Sequence, residues 1–290
     1  MRLNPFNPGS INVRRGGDGG GFPGGGGGQL GCGAIVVVLI GALVFGIDPG
    51  QMLGSMEGLQ QSAPTQQQQT GESVEEICDD NAYATEACNA LASLNETWAP
   101  TFQQAGIGFQ QPALAFLEAG IVESTGCGQA SSAMGPFYCP ANQTIYIDTA
   151  FYDQLDRELG AQGDFARYYV IAHEYGHHVQ TITGIAGQIR SAQSQSPQQA
   201  NQLQVLMELQ ADCYAGVWAG KNRNAIEPGD FEEGLTAASA IGDDALMRQA
   251  GRSVNPESFT HGTSQQRMQA LRLGLESGDD TQCERILQLR

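Results

Sequence analysis

The 290-residue sequence predicts an α-dominated α+β domain with a small sheet, set behind a single transmembrane helix. Three observations carry that expectation. Apolar residues recur at three- and four-residue spacing through much of the chain after residue 74, which is the helical period. One short alternating run, Thr144-Ile145-Tyr146-Ile147, follows turn chemistry at Ala141-Asn142 and reads as a strand. Residues 30–47, LGCGAIVVVLIGALVFGI, carry no charged side chain and rise about 27 Å as a helix, close to the ~30 Å thickness of a bilayer core.

Taken in order, residues 1–29 contain GGDGGGFPGGGGG, offer almost nothing to bury, and are expected to be a disordered tail. The apolar segment at 30–47 lies between Gly-rich and Gln-rich sequence, so nothing adjacent could bury it as a core helix. Its N-terminal region is long for a cleaved signal peptide, and no A-x-A site follows. Cys32 precedes the apolar run instead of following it, which excludes a lipobox. Arg14 and Arg15 before the span and Asp48 after it predict a cytoplasmic N-terminus and an extracytoplasmic domain, held at the cell membrane by one pass.

Residues 48–73 include QQSAPTQQQQTGE and read as a polar linker. The folded domain is expected at 74–290. Helical patterns occupy 74–97, 112–122, 149–159, 165–183, 200–221, 231–248 and 264–276, and SAQSQSPQQ at 191–199 reads as a mobile surface loop.

The formal net charge of −17 is unevenly placed. The residues before position 48 sum to +2 and the remainder to −19, and lysine occurs once, at Lys221. Without a basic stripe the chain lacks the cations that nucleic-acid binding requires. Setting Cys32 aside leaves Cys78, Cys88, Cys127, Cys139, Cys213 and Cys283, with no C-x-x-C pair. An even count in an exported domain suggests disulfides, and Cys78–Cys88 and Cys127–Cys139 are favoured because each closes a short loop. Buried thiols remain an equal alternative for Cys213 and Cys283.

Three of the four histidines fall in Ala172-His173-Glu174-Tyr175-Gly176-His177-His178. His173-Glu174-x-x-His177 places two imidazoles on one helix face, where they can share a Zn²⁺ ion. Glu174 then sits beside the open coordination position, as a general base toward a metal-activated water. The alternative is a pair of core histidines bonded locally. A longer motif with a third histidine fails, because Thr183 stands in its place. Downstream, Glu208-Leu-Gln-Ala-Asp212 again puts two carboxylates four residues apart; Glu208 can complete the metal shell while Asp212 fixes the tautomer of a ligand histidine. Taken alone, that pair would read as solvated acids. His261 and Arg267, in Thr260-His261-Gly-Thr263-Ser264-Gln-Gln-Arg267, are candidates for oxyanion stabilisation, against the plainer reading of a capped loop. His178 points about 100° from His177 and reads as a structural support.

At this point the residues resemble the bacterial predicted neutral zinc metallopeptidases, the YpfJ-like family. The resemblance rests on His-Glu-Tyr-Gly-His-His-Val-Gln at 173–180, Glu-Leu-Gln-Ala-Asp-Cys-Tyr-Ala-Gly at 208–216, Thr-His-Gly-Thr-Ser-x-Gln-Arg at 260–267, and Gly-Pro-Phe-Tyr-Cys-Pro at 135–140 followed by Ile-Tyr-Ile-Asp at 145–148. It implies a gluzincin-type core with one zinc per chain, His173, His177 and Glu208 as ligands, and Glu174 as base. It also implies that Tyr146 lies on a strand bordering the cleft, where a peptide substrate could add as a further strand. The resulting expectation is a membrane-anchored zinc endopeptidase. The competing one is a non-catalytic envelope module stabilised by a closed metal site, which would have no need of Glu174.

Overall fold

A computed structural model describes residues 1–16 and 72–288, which form a four-stranded sheet laid against a layer of helices. The strands are β1 (Asn12–Arg15), β2 (Ala113–Phe116), a separate hairpin of β3 (Val122–Thr125) and β4 (Gly128–Ser131), then β5 (Phe137–Cys139) and β6 (Thr144–Ile147). The main sheet has the order β1-β2-β6-β5, with β1, β2 and β6 parallel and β5 antiparallel to β6. The helices are α1 (Val74–Cys78), α2 (Ala82–Ala105), α3 (Ala150–Arg157), α4 (Asp164–Ile182), α5 (Ile185–Gln195), α6 (Ala200–Lys221), α7 (Asp230–Ala240), α8 (Asp243–Gln249), α9 (Ser264–Ser277) and α10 (Glu284–Gln288).

Alternation along the strands divides the core. Val13, Leu114, Phe116, Ile145 and Ile147 join the large cluster with the helices, whereas Ala115, Leu117, Cys139 and Tyr146 form a smaller one on the other face. That two-sided burial explains why 112–122 is not the helix expected from its spacing. Ala-Leu-Ala-Phe is a continuous apolar run because β2 is central, and such a run cannot be told from a buried helix by period alone. The region expected as one helix over 74–97 is broken after Cys78, and α2 then continues through Pro100 to Ala105. Trp98 and Phe102, both buried, hold that last stretch, with Trp98 edge-on to Tyr214 at 5.4 Å. The presumed loop at 191–199 is helical to Gln195, and its Gln193 is buried. The pattern at 231–248 splits at Ile241-Gly242 into α7 and α8.

The N-terminus is the largest correction. Residues 1–16 are part of the domain: Val13 pairs with Leu114 across the ladder and is buried. The Met1 ammonium lies 3.0 Å from Asp164 and 2.9 Å from Asp230. Arg14 and Arg15, expected as flanking charges of a membrane span, instead pair with Glu123, and with Glu72 and Asp80. One membrane crossing at 30–47 would put β1 and β2 on opposite sides of a bilayer, which their hydrogen-bonded register excludes. Among the described residues no helix is long and apolar enough to cross a membrane. The β1–β2 pairing therefore contradicts the single-pass architecture; the segment at 30–47 itself, and the linker up to residue 71, lie outside the described residues.

Both favoured disulfides are formed, and Cys213 and Cys283 are bonded to each other as well. The third bridge ties the C-terminal segment to α6. At the same level α9 meets α6 so closely that a Cβ on Gly274 would fall 1.9 Å from the Cys213 carbonyl oxygen.

Deleting residues 1–15 should remove the burial of Met1, Ile11 and Val13 and bare the β2 edge. At about 1.5–3 kcal/mol for each buried side chain, the expected loss is of order 5 kcal/mol, read as a lower denaturant midpoint. An unchanged midpoint would contradict the placement of β1.

Candidate metal centre

Helix α4 is buried along most of its length, including His173, Glu174, Tyr175, Gly176 and His178. The four-residue spacing puts the His173 and His177 rings on one face, edge to face with centroids 4.8 Å apart. Gly176 lies between them on the side facing α6. A Cβ there would meet the Ala211 Cα and carbonyl oxygen at 2.8 Å, so glycine is what allows the two helices this close. The approach brings Glu208 to the histidines: its Oε2 lies 3.2 Å from His173 Nε2 and 3.4 Å from His177 Nε2. One ligand atom from each of the three residues lies within 4.8 Å of the others.

Each member of the trio is oriented by a different partner. His173 Nδ1 faces Asp212 Oδ1 at 2.8 Å, which keeps a proton on Nδ1 and turns Nε2 toward Glu208. His177 Nδ1 faces Gln180 Oε1 at 2.9 Å. Gln204, one turn before Glu208, donates from Nε2 to Glu208 Oε1 at 2.7 Å. Two imidazole nitrogens and one carboxylate oxygen, with rear atoms engaged and front atoms converging, make a donor set that suits zinc.

The electrostatics run through Asp212, which is wholly buried. It accepts from Tyr169 Oη at 2.6 Å and from Arg267 Nε and Nη2, both at 2.8 Å. Burial alone would raise this carboxyl, but Arg267 and His173 hold it down at about 2. Burial works against a proton on His173, yet Asp212 and the Glu208 hydrogen bond carry it up to about 9. Glu208 is likewise held well below the usual carboxylate range against its burial, by His177 and by hydrogen bonds from both histidines. A cation is thus what this site favours, and a proton competes for it.

The remaining sequence candidates are placed as follows. His261 is buried, with Nδ1 3.2 Å from Asp243 Oδ1. Asp243 Oδ2 accepts the backbone N–H groups of Thr260, His261 and Gly262 at 2.8, 2.6 and 2.9 Å, so one carboxylate shapes the whole loop. Arg267 is not aimed at a cleft. It is 2% exposed and its guanidinium is spent on Asp212, Tyr169 and the Ile241 carbonyl, so the oxyanion role expected of it is corrected to support of Asp212. Tyr146 is also corrected: β6 is flanked by β2 and β5, and the Tyr146 hydroxyl is bonded to Arg14 and Asn142 on the face away from the helices. Beside β6 the sheet ends at β5, an edge strand whose Tyr138 hydroxyl contacts His178 Nδ1 at 3.0 Å. His178 Nε2 faces the Gln110 carbonyl at 2.6 Å, and burial pushes this ring down to about 4, so it braces β5 against α4 as a neutral group.

Sequence reasoning missed Tyr169, Gln180, Gln204 and Asp243. Gln180 and Gln204 lie three and four residues from a candidate ligand, so helical spacing offered a signal; Asp243 reaches its partner only through the tertiary fold.

Comparison with known proteins points to a zinc-dependent family. The profile of a family described as "Putative neutral zinc metallopeptidase" matches residues 5–286. The chain is 44% identical over 281 residues to "Uncharacterized protein YpfJ" of Escherichia coli (strain K12), covering 94% of each. It is 37% identical over 264 residues to "Uncharacterized protein Mb2605" of Mycobacterium bovis and to "Uncharacterized protein Rv2575" of Mycobacterium tuberculosis, covering 84% of each. No solved structure matches the chain.

Replacing Arg267 by Met should leave the Asp212 charge buried without its cation, at a cost of about 3–5 kcal/mol in denaturant unfolding. Adding Asp212→Asn should recover part of that loss. A single variant within about 1 kcal/mol of wild type would show that the pair is not coupled as described.

Proposed function

The chain belongs to the neutral zinc metallopeptidase family, and from that premise we propose that it is a zinc-dependent endopeptidase with Glu174 as general base. The observation that carries this reading is the convergence of His173, His177 and Glu208, with Glu174 next to the first of them on α4. Zinc held there supplies a Lewis acid that lowers the pKa of water and polarises a carbonyl. The protein's own groups do the rest. Glu174 takes a proton from the attacking water and passes it to the departing amine. His261, oriented by Asp243, donates to the oxygen that gains negative charge at the tetrahedral stage.

A peptide substrate is placed along β5, the edge strand nearest α4. Its unpaired backbone groups can add an extended chain, and the His178–Tyr138 contact holds that edge in place. Three disulfides support an oxidising, extracytoplasmic compartment for the domain.

Glu174→Gln should keep stoichiometric zinc yet lose peptide cleavage by at least about 10²-fold, measured on a peptide library beside metal analysis. Cleavage at the wild-type rate would overturn the reading. His261→Ala should lower kcat by about 10²–10³-fold with a smaller change in KM, whereas a change confined to KM would place His261 in binding alone.

A further inference from the structure

We propose that Gln180 is a positioning residue that sets the tautomer of His177 and fastens the two ligand-bearing helices to each other. The inference rests on the zinc reading given above. Gln180 is fully buried near the end of α4 and makes three hydrogen bonds from one amide. Its Nε2 donates to the Met207 carbonyl at 2.7 Å and to Gln210 Oε1 at 3.0 Å. A carbonyl cannot donate, and the Gln210 Nε2 turns the other way, toward the Cys283 carbonyl at 3.5 Å. Both neighbours of the Gln180 Nε2 are therefore acceptors, and the orientation of the amide is decided.

Its Oε1 is consequently the atom facing His177 Nδ1, at 2.9 Å. An amide oxygen only accepts, so the shared proton sits on Nδ1. In the neutral ring His177 Nε2 then keeps the lone pair, and this is the nitrogen 3.4 Å from Glu208 Oε2, where a metal would take the place of a proton. The other end of the same amide holds Met207, the residue before Glu208. Gln180 thus touches a ligand histidine on α4 and the backbone beside the third ligand on α6. Asp212 performs the equivalent task for His173 with a charge; Gln180 performs it for His177 without one.

The test measures zinc dissociation constants by chelator competition on full-length wild-type, Gln180→Met and Gln210→Met proteins. Methionine keeps the length of the side chain and removes its hydrogen bonds. Gln180→Met should weaken zinc binding by about 10–100-fold. Gln210→Met, which removes a buried amide but leaves the His177 contact, should shift it by less than about threefold although unfolding is also made easier. Equal zinc affinity in Gln180→Met and wild type would overturn the proposal while leaving the peptidase reading intact. Parallel losses of affinity in the two variants would overturn it too, since Gln180 would then be structural only. A wild-type protein that takes no zinc would overturn both inferences. Nitrogen-15 NMR of zinc-loaded wild type needs no variant: a proton is expected on His177 Nδ1, and zinc on that nitrogen instead contradicts the assignment.

Discussion

The crossing of α4 over α6 at Gly176 and Ala211 is the contact on which the rest of the site depends. Neither His173 nor His177 could meet Glu208 if a side chain at position 176 held the helices apart, because its first carbon would already collide with the α6 backbone. Packed interiors do not absorb such an overlap without shifting an element, and here the element carries the ligands. α6 is in turn fixed from its other sides by the close approach of Gly274 on α9 and by the Cys213–Cys283 bridge. The motif on α4 therefore works only as part of a three-helix arrangement whose spacing is set by small residues.

Placing that crossing in the interior raises an electrostatic problem. Asp212, Glu208 and Arg267 are all nearly inaccessible, and buried charges are costly unless paired and hydrogen-bonded. Arg267 and Tyr169 engage both oxygens of Asp212, so it can accept from His173 without becoming a bare charge. The other two candidate ligands are oriented by neutral glutamine amides. The orienting groups then add no net charge, and the attraction for a cation rests on Glu208.

Much of this was legible in the sequence because helical spacing is a local property. His173, His177, Glu208 and Asp212 are grouped in pairs four residues apart, and each pair shares a helix face in the structure. Arg267 and Tyr146 were read correctly as belonging to helix and strand, but not as to what they face, since that depends on what packs against each element. β2 carries a helix-like pattern in sequence because central strands lose the alternation that marks half-exposed ones. β1 was hidden by its surroundings: Asn12–Arg15 is short, polar at both ends and followed by Gly-rich sequence, and only Val13 inserts into the core. Its pairing with β2 also removes the topological basis for a single membrane pass, which composition alone had made attractive.

The helix crossing is expected to build a two-histidine, one-carboxylate zinc centre. X-ray absorption at the zinc edge of the purified, zinc-loaded protein tests it most directly. The predicted result is one zinc per chain with two imidazole nitrogens at about 2.0–2.1 Å, oxygen in the remaining positions, and loss of one imidazole in His177→Ala. Sulfur in the shell, or a shell unaltered by that substitution, would contradict it.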